Sequence, residues 1–339
     1  MKLSICIATF KRADFIAATL DSIVPQLTSE VELVVVDGAS PDDTPNIVGR
    51  YVAANPGMRY YRESVNSGVD GDYDKAVGYA EGEFVWLMTD DDVLKPGAVA
   101  QVLQRLDTDR DLLFVNAEIW NADFTRLLKP RFLESAADTT YGAGEQDEAF
   151  AAVAFYSSFI GGVVIRRSQW LARERRSYYG TLFVHVGVIF QHPALAKIGV
   201  IAEPLIRIRY GNAMWTARGF EIWLFKWPQL VWSFGDFSEP ARAGVSPREP
   251  WRLMRKLVLF RALGGYSITE YRRLLSSGLS SPLRRAFAWM VAITPAGLVN
   301  LLASLLCLFF HRNRMVVYDL ARSRHAVGGS RLVARILNV

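Results

Sequence analysis

The chain has 339 residues, of which 51% are hydrophobic and 22% are charged, and its formal net charge is +5. This length and apolar content allow one large or two ordinary globular domains with a substantial core. The presence of only two cysteines, Cys6 and Cys307, excludes a disulfide framework or a cysteine-based zinc site. The first predicted strand begins at Leu3, which leaves no room for a leader peptide, so we expect cytoplasmic chemistry.

Charge is distributed unevenly along the chain. Residues 251–339 contain 14 Lys and Arg against two acids, a balance of +12, whereas residues 1–250 contain 25 basic and 32 acidic residues, a balance of −7. Basic, apolar segments suit anionic lipid surfaces. Nucleic acid is the rival partner for a basic region. Because the arginines here alternate with long aliphatic runs and form no single polar face, we expect no nucleic-acid binding.

Short apolar runs alternate with helical periodicity over the first 110 residues. Strands are predicted at 3–8, 31–36, 58–62 and 84–88, with helices at 13–26, around 47–51 and at 73–80. This alternation is typical of an α/β fold with a mostly parallel central sheet and helices on both faces. In such sheets, ligands bind at the carboxyl ends of the strands.

Three of these predicted strands end in residues with unusual chemistry. The residues from Thr9 to Arg12 follow the first strand, Asp37 ends the second, and the run Asp90 to Asp92 ends the fourth. An acidic run by itself is equally compatible with a solvated turn that caps the next helix. Three adjacent carboxylates repel each other unless a cation joins them, and their oxygens suit Mg²⁺ or Mn²⁺, which also hold phosphates. The coincidence of both charge signs at one sheet edge predicts a metal–diphosphate site.

The three strand-end motifs together resemble a family 2 glycosyltransferase. They are Ser4-Ile-Cys-Ile-Ala-Thr-Phe-Lys-Arg12, Val34-Val-Val-Asp-Gly-Ala-Ser-Pro-Asp-Asp-Thr44 and Gly82-Glu-Phe-Val-Trp-Leu-Met-Thr-Asp-Asp-Asp92. Three ordered motifs at matching spacing are specific, whereas any one alone would be weak. The resemblance covers residues 1–110 well and continues more loosely to about 235. It implies the GT-A fold, a Rossmann-like nucleotide-binding domain, and residues 66–76 with Trp86 are similar to bacterial O-antigen enzymes of the abequosyltransferase type.

The resemblance implies a nucleotide-sugar site by position. Asp92 would ligate the Mg²⁺ or Mn²⁺ that bridges the diphosphate, and Asp90 would approach the ribose or the metal. The other implied binding residues near these strand ends are Ala8, Thr9, Phe10, Arg12, Asp37 and Asp91. The family often has two acids at the end of the second strand, but here Gly38 follows Asp37. This departure leaves open whether the nucleotide is UDP, GDP, CDP or dTDP.

A second acidic group precedes the fourth strand. Asp70, Asp72 and Asp74 alternate along the chain like the start of a calcium loop, but the downstream Gly and Glu spacing of such a loop is missing. A polar turn at a helix start explains the group equally well. The functional interpretation places Asp70 or Asp72, together with Asn66, against the donor sugar or the diphosphate.

The catalytic base is expected in the second half of the catalytic region. Many family members carry a Glu-Asp pair where this chain has Val184 and His185. An imidazole can accept the proton of an acceptor hydroxyl near neutral pH, although a lone histidine in an apolar helix is often structural. Further on, the resemblance implies that Arg209, Asn212 and Trp215 close over the diphosphate, with surface packing as the alternative.

The last third of the chain predicts membrane association. A helix at 219–234 carries six Phe and Trp residues, which suit a membrane interface or an acceptor lipid, although core packing is the alternative. A Gly/Pro-rich linker is predicted at 236–250. Residues 286–310 then contain no charge, but Pro295, Gly297 and Asn300 interrupt the run. We therefore favour a monotopic or re-entrant attachment over a full span, with a dimerisation surface, and hence a homo-oligomer, as the third alternative.

The sequence thus predicts three regions: a GT-A domain at 1–235, divided into a nucleotide-binding half (1–110) and an acceptor half (111–235), the linker, and a helical membrane-association region at 251–339. The resemblance implies metal-dependent transfer of a sugar from a nucleoside-diphosphate sugar to a hydroxyl of a polyprenyl-diphosphate-linked or other glycan, at the cytoplasmic face of the inner membrane. Two alternatives are a nucleotidyltransferase that makes a sugar nucleotide and a non-catalytic scaffold. The glycine-free segment Ala8 to Arg12 argues against the first, and the intact Asp90 to Asp92 run against the second.

Overall fold

A computed structural model describes residues 1–212, 218–311 and 313–339. The chain forms two compact units. The first contains Met1–Ile119, Pro130–Arg209 and Phe234–Val245, and the second contains Trp120–Lys129, Tyr210–Ser233 and Ser246–Val339. These boundaries differ from the predicted ones, because most of the aromatic helix at 219–234 groups with the basic tail while part of the predicted linker groups with the first unit.

The strands are β1 (Leu3–Thr9), β2 (Val31–Asp37), β3 (Met58–Arg62), β4 (Phe84–Met88), β5 (Val93–Leu94), β6 (Leu112–Trp120), β7 (Leu127–Lys129), β8 (Thr139–Tyr141), β9 (Val163–Arg166) and β10 (Ile198–Arg209). The helices of the first unit are α1 (Ile16–Ile23), α2 (Thr44–Ala54), α3 (Gly68–Tyr79), α4 (Ala98–Leu103), α5 (Gln146–Val153), α6 (Arg167–Ala172) and α7 (Val184–Phe190). Those that follow are α8 (Gly219–Glu221), α9 (Trp227–Ser233), α10 (Glu239–Val245), α11 (Met254–Leu263), α12 (Ile268–Glu270), α13 (Pro282–Ile293), α14 (Ala296–Leu306), α15 (Arg314–Arg322) and α16 (Gly328–Ile336). Short π-helical segments follow α8, α12 and α14.

The sheet is mixed, not mostly parallel as predicted. Its strand order is β3-β2-β1-β4-β9-β6-β10-β5, and β8 pairs with β10. The first four strands are parallel, whereas β9 runs antiparallel to both β4 and β6. The apolar run in β9 is buried on both faces, and a run of that kind does not encode strand direction.

The register of the parallel strands fixes the edge where the predicted motifs meet. Thr9 pairs with Asp37 across β1 and β2, and Ile7 pairs with Met88 across β1 and β4. All residues of β1, β2 and β4 are buried, which is the pattern of central strands covered on both faces. The three strand ends therefore lie side by side, as the sequence predicts.

The glycines before β9 allow other residues to approach the backbone closely. The Trp86 indole Nε1 donates a hydrogen bond of 2.8 Å to the carbonyl oxygen of Gly161. A Cβ atom on Gly162 would lie 2.5 Å from the hydroxyl oxygen of Tyr156, so no larger residue fits without a shift. These glycines lie in a short 3-10 turn and not in the strand itself.

The predicted linker contains a helix. Pro240 lies in the first turn of α10, where its missing N–H group has no helical partner to lose. Phe237, just before this helix, stacks on Phe150 of α5 with ring centroids 4.1 Å apart. The Gly and Pro content of this segment therefore marks helix ends and not an extended linker.

The aromatic residues of 219–234 pack in cores. Phe220 is buried, stacks on Tyr266 with centroids 4.7 Å apart, and joins a cluster with Leu257 and Leu275 in the second unit. None of the six Phe and Trp side chains of this described segment is exposed. Core packing, which the sequence left as the alternative, accounts for them.

The uncharged segment 286–310 forms two helices and not one. Within the described residues, no single helix is long and apolar enough to cross a bilayer. The pair Pro282–Ile293 and Ala296–Phe310 passes that test together, but the two helices meet at a bend of 101°.

Candidate functional site

The acidic run at the end of β4 is buried beside a basic residue of the β1 motif. Asp90, Asp91 and Asp92 are each less than a tenth exposed. Arg12 Nε lies 3.2 Å from Asp90 Oδ1, and Arg12 Nη2 lies 3.4 Å from Asp91 Oδ2. The guanidinium of Arg12 also lies over the Phe15 ring. The predicted convergence of Arg12 with the acidic run is therefore present in the structure.

The pairing of β5 with β10 places Arg209 at the same edge. Its backbone N–H donates to Asp92 Oδ1 over 2.6 Å, and its Nε donates to the carbonyl oxygen of Asp91 over 3.0 Å. Thr89 Oγ1 donates to the other Asp92 oxygen over 2.5 Å. Both oxygens of Asp92 are thus held in place by short contacts from β4 and β10.

Burial raises the pKa of two of these carboxyl groups. The pKa of Asp90 is raised to about 7, first by burial and then by the charge of Asp91, while Arg12 and the Thr9 hydroxyl act in the opposite direction. The pKa of Asp92 is raised well above its usual value for the same two reasons. Burial therefore disfavours the ionised form of these two carboxyl groups, and the nearby protein groups do not fully offset this effect.

The donor chemistry of this edge fits a hard divalent cation. Carboxylate oxygens are the ligands that Mg²⁺ and Mn²⁺ prefer, and a cation would favour the ionised form of these carboxyl groups, whose pKa is raised first by burial and then by their mutual repulsion. Among the residues that the structure describes, no three acidic, histidine or cysteine side chains already form a converged ligand group. Asp90 and Asp92 are the residues that would hold such an ion.

The carboxylate of Asp37 at the end of β2 is turned inward. It is 0% exposed, and it accepts hydrogen bonds from the Ser40 N–H at 2.8 Å and from the Tyr60 hydroxyl at 2.7 Å. A contact with the base or ribose would require the buried Asp37 carboxylate to become accessible. The sequence did not identify Ser40 or Tyr60 as supports, although the register of β3 against β2 offers a signal for Tyr60.

Asp72 and Asn66 lie next to Gly38. A Cβ atom at position 38 would be 2.5 Å from Asp72 Oδ2 and 3.4 Å from Asn66 Cγ. Asp72 Oδ1 accepts a hydrogen bond from Ser67 Oγ and lies 3.8 Å from Lys75 Nζ. Desolvation raises the pKa of Asp72, which is 3% exposed. The structure therefore brings two predicted binding residues to the end of β2.

Helix α3 is longer than predicted and contains the alternating acids. It begins at Gly68, so Asp70, Asp72 and Asp74 lie on the helix and not in a turn. Asp70 accepts three backbone hydrogen bonds, from the N–H groups of Gly180, Leu182 and Val184, over 2.8 to 3.0 Å. In this geometry Asp70 organises the segment that enters α7, while its predicted contact with the donor stays a prediction.

Asp74 makes a second set of contacts to the same region. It accepts from Trp170 Nε1 at 2.8 Å and from the Tyr179 hydroxyl at 2.5 Å, and it pairs with Arg175 Nε at 2.8 Å. These partners are about 100 residues away in sequence. Asp74 therefore holds the chain after α6 against α3.

His185 is buried in α7 with one nitrogen engaged. Its Nε2 lies 2.8 Å from the carbonyl oxygen of Ser157, so Nε2 carries the proton and Nδ1 is the unprotonated atom. Nδ1 has no hydrogen-bond partner among the described residues, and the side chain is 2% exposed. Burial lowers the pKa of His185 to about 4, so the imidazole is neutral at physiological pH.

The remaining predicted binding residues lie in different parts of the structure. Ala8 and Thr9 are buried at the end of β1, and Phe10 lies under the ammonium group of Lys11. Asn212 belongs to the second unit. Trp215 lies outside the described residues.

Comparison with protein families assigns the first half of the chain. Residues 4–163 match the model described as glycosyl transferase family 2. The abequosyltransferase of Salmonella typhimurium is 24% identical over 233 residues, which cover 65% of this chain and 70% of that protein. A Campylobacter jejuni enzyme, GalNAc(5)-diNAcBac-PP-undecaprenol beta-1,3-glucosyltransferase, is 29% identical over 119 residues, which cover 35% of this chain and 38% of that enzyme.

Solved structures show the same fold. The Staphylococcus aureus protein TarS, residues 1–349 with UDP-GlcNAc, superposes with a TM-score of 0.53 at 16% identity, covering 100% of this chain and 92% of that chain. The mannosyltransferase PcManGT of Pyrobaculum calidifontis, in complex with GDP-Man and Mn²⁺, superposes with a TM-score of 0.55 at 14% identity, covering 98% and 87%.

Residues 4–163 of this chain therefore match glycosyl transferase family 2, and the resemblance seen in the three strand-end motifs is confirmed. Its match extends over 70% of the Salmonella abequosyltransferase but only 38% of the Campylobacter enzyme.

Replacing Asp70 with Ala is expected to destabilise the first unit while leaving the acidic residues Asp90 to Asp92 unchanged. Three N–H groups near the start of α7 would lose their acceptor, which costs on the order of 2–4 kcal/mol. Urea unfolding measures the loss as a lower midpoint. Asp14→Ala, which removes an exposed acid on the chain before α1, is the control and should change the midpoint little. Equal midpoints for the two variants would contradict this role of Asp70.

Proposed function

We propose that this glycosyltransferase moves a sugar from a nucleoside-diphosphate sugar to a hydroxyl group of a lipid-linked glycan used in O-antigen or other surface polysaccharide synthesis. The observation that carries the proposal is the buried Asp90–Asp92 run beside Arg12, at the edge where β1, β2 and β4 end. Such an arrangement supplies both signs of charge for a cation and a diphosphate. The family match favours this activity over the nucleotidyltransferase alternative.

The donor would bind along this edge with its diphosphate at Asp90, Asp92 and Arg12. A divalent ion bound there neutralises the charge that develops on the departing nucleoside diphosphate. Arg12 would orient the diphosphate, and the backbone amide of Arg209 holds Asp92 in the position where an ion can meet it. Mn²⁺ in the structure of PcManGT with GDP-Man supports the use of a divalent ion in this fold.

His185 is the proposed base. Its Nε2–H group is committed to the Ser157 carbonyl, which leaves the Nδ1 lone pair as the proton acceptor. Since the pKa of His185 is about 4, the ring is in its basic form throughout the neutral range. The acceptor hydroxyl would have to reach Nδ1 when the site is occupied, because this nitrogen is shielded from solvent in the present structure.

A lipid-linked acceptor is supported by the relatives and by the surface of the second unit. The name of the Campylobacter enzyme includes GalNAc(5)-diNAcBac-PP-undecaprenol, a lipid-linked glycan. In this chain, α13, α14 and the π-helical segment that follows α14 present large apolar side chains to solvent, among them Leu283, Leu302, Phe309 and Phe310. On α16, Leu332 and Ile336 are exposed beside the exposed Arg331 and Arg335. An interfacial surface of this kind combines apolar insertion with attraction to anionic lipids.

The surface so defined supports attachment at one leaflet. The bend of 101° between the two apolar helices suits a helix pair that lies in or dips into the membrane face better than a straight span. Because nucleotide sugars are used in the cytoplasm in this scheme, the attached face would be the cytoplasmic face of the inner membrane.

The Asp92→Asn variant tests the metal site. We expect wild-type protein to hydrolyse one nucleotide sugar slowly and only with Mn²⁺ or Mg²⁺, and the variant to be slower by about 100-fold or more. Coupled detection of the released nucleoside diphosphate measures both rates. Asp109→Asn, at an exposed ion pair with Lys197, is the matched control and should keep the wild-type rate. Full metal-dependent activity in Asp92→Asn would remove this residue as a ligand.

The His185→Ala variant tests the base. Transfer to acceptor should fall by about 100-fold, since general base catalysis contributes at least that much, while donor binding stays unchanged. The pKa of about 4 adds a pH criterion: ionisation of His185 should not reduce the wild-type rate until the pH falls below about 5. Near-wild-type turnover with intact donor binding would exclude His185 from the mechanism.

Membrane attachment is tested on the full chain with the double substitution Phe309→Ser and Phe310→Ser. These side chains are 72% and 74% exposed, so the change leaves packing largely intact while removing apolar surface. Wild type should sediment with vesicles that contain anionic lipid, and the variant should bind several-fold more weakly. The exposed pair Val65→Ser and Tyr79→Ser of the first unit is the control. If the wild-type protein does not bind vesicles but forms dimers that the double substitution dissociates, the surface is a dimer interface.

A further inference from the structure

Two carboxylates meet at the end of β2: that of Asp37, which belongs to the strand and is 0% exposed, and that of Asp72 from α3, which is 3% exposed. Asp37 ends the strand and is fully buried, with its two oxygens bonded to the Ser40 amide and the Tyr60 hydroxyl. It shapes the loop after β2. No atom of the Asp37 side chain is open to a ligand in this structure.

Asp72 occupies the space next to it. Its side-chain contacts to Ser67 Oγ and Lys75 Nζ are both made by Oδ1, and Oδ2 is the atom turned toward Gly38. A Cβ atom at position 38 would lie 2.5 Å from this oxygen, closer than non-bonded atoms come. The absence of a side chain at Gly38 is therefore what allows the Asp72 carboxylate to reach the end of β2.

The position of this oxygen along the edge indicates which part of the donor it meets. The diphosphate group of the proposed donor lies at the end of β4, beside Arg12 of the β1 motif. In the order β2-β1-β4, the end of β2 is one strand further from β4 than the end of β1. A nucleoside diphosphate whose diphosphate lies at β4 and whose nucleoside lies across the ends of β1 and β2 would bring that nucleoside to Gly38.

Resting on the proposed function, we infer that Asp72, and not Asp37, supplies the carboxylate that accepts a hydrogen bond from the donor nucleoside, and that Gly38 is required for this reach. An ionised carboxylate only accepts, so it selects a group that donates. Two groups of a nucleoside have this chemistry, a ribose hydroxyl and a base N–H.

Binding of UDP, GDP, CDP and dTDP with Mn²⁺ tests the inference by calorimetry on the full chain. For the diphosphate that wild type binds best, Asp72→Asn should weaken binding about tenfold or more, because a hydrogen bond to a charged acceptor is lost. Binding of Mn²⁺ with inorganic pyrophosphate should stay within twofold of wild type. Two analogues of the bound diphosphate identify the donating group: one lacks the ribose 2′-hydroxyl, and the other is methylated at the base N–H. The donating group is the one whose loss abolishes the difference in binding between wild type and Asp72→Asn.

Gly38→Ala provides an independent test that leaves Asp72 in the chain. Its methyl group should displace Oδ2 and weaken nucleotide binding as Asp72→Asn does. In an Asp72→Ala background, the same Gly38→Ala change should have almost no further effect, since the displaced carboxylate is gone. Glu63→Gln is the matched control, because it removes another carboxylate from the same Lys75 without changing the one at Gly38.

The outcomes separate the inference from the proposed function. If the wild-type protein binds none of the four nucleoside diphosphates, the proposed function is wrong, and so is this inference, which rests on it. If wild type binds one of them and Asp72→Asn and Gly38→Ala both bind it within twofold of wild type, the inference alone is overturned. An equal loss of pyrophosphate and nucleotide binding in Asp72→Asn would also overturn it, since the residue would then act on the diphosphate end.

Discussion

The packing of three consecutive carboxylates against one edge of the sheet is the constraint on which this structure depends. Asp90, Asp91 and Asp92 are buried together, and each is held by a contact from another part of the chain. Arg12 comes from the β1 motif, and Arg209 comes from the end of β10. Like charges so close together are unfavourable without a counter-charge. The residues that the sheet topology brings to this edge therefore also have to stabilise the charges of the site.

Helix α3 supports this edge from one side with acids that have different roles. Successive helical residues are about 100° apart, so Asp70 and Asp74 project from nearly the same face, whereas Asp72 projects from the opposite side. The first two bind the segment from Trp170 to Val184, and the third lies at Gly38. A spacing that resembles a metal loop in sequence therefore serves two faces of one helix.

Much of the site could be predicted because its parts lie at strand ends. Burial of whole strands and the alternation with helices were sufficient to place Thr9, Asp37 and Asp90 at one sheet edge. The inward turn of Asp37 could not be predicted, because it depends on Tyr60 from a neighbouring strand and on the loop at Ser40. The partners of Asp70 and Asp74 were equally inaccessible, since they lie about 100 residues further along the chain.

Errors in the predicted fold have related causes. The aromatic residues of 219–234 indicated a membrane interface because their number exceeds the needs of one helix, but partners such as Tyr266, which stacks on Phe220, lie further along the chain. The direction of β9 and the helix within 236–250 also depend on packing that local composition does not encode. The uncharged, interrupted segment 286–310 could be predicted from the sequence, and it does form two helices with exposed apolar residues.

The hydrogen bond from Arg209 to Asp92 has a consequence for how this chain can vary. The donor is the backbone amide, so every residue except proline supplies the same group at position 209. The bond depends instead on the register of β10 against β5, in which Arg207 faces Val93. A one-residue insertion or deletion in β10 would carry this amide away from the carboxylate and turn neighbouring side chains to the opposite face. The bond to Asp92 should therefore tolerate many side chains at position 209 but few changes in the length of β10.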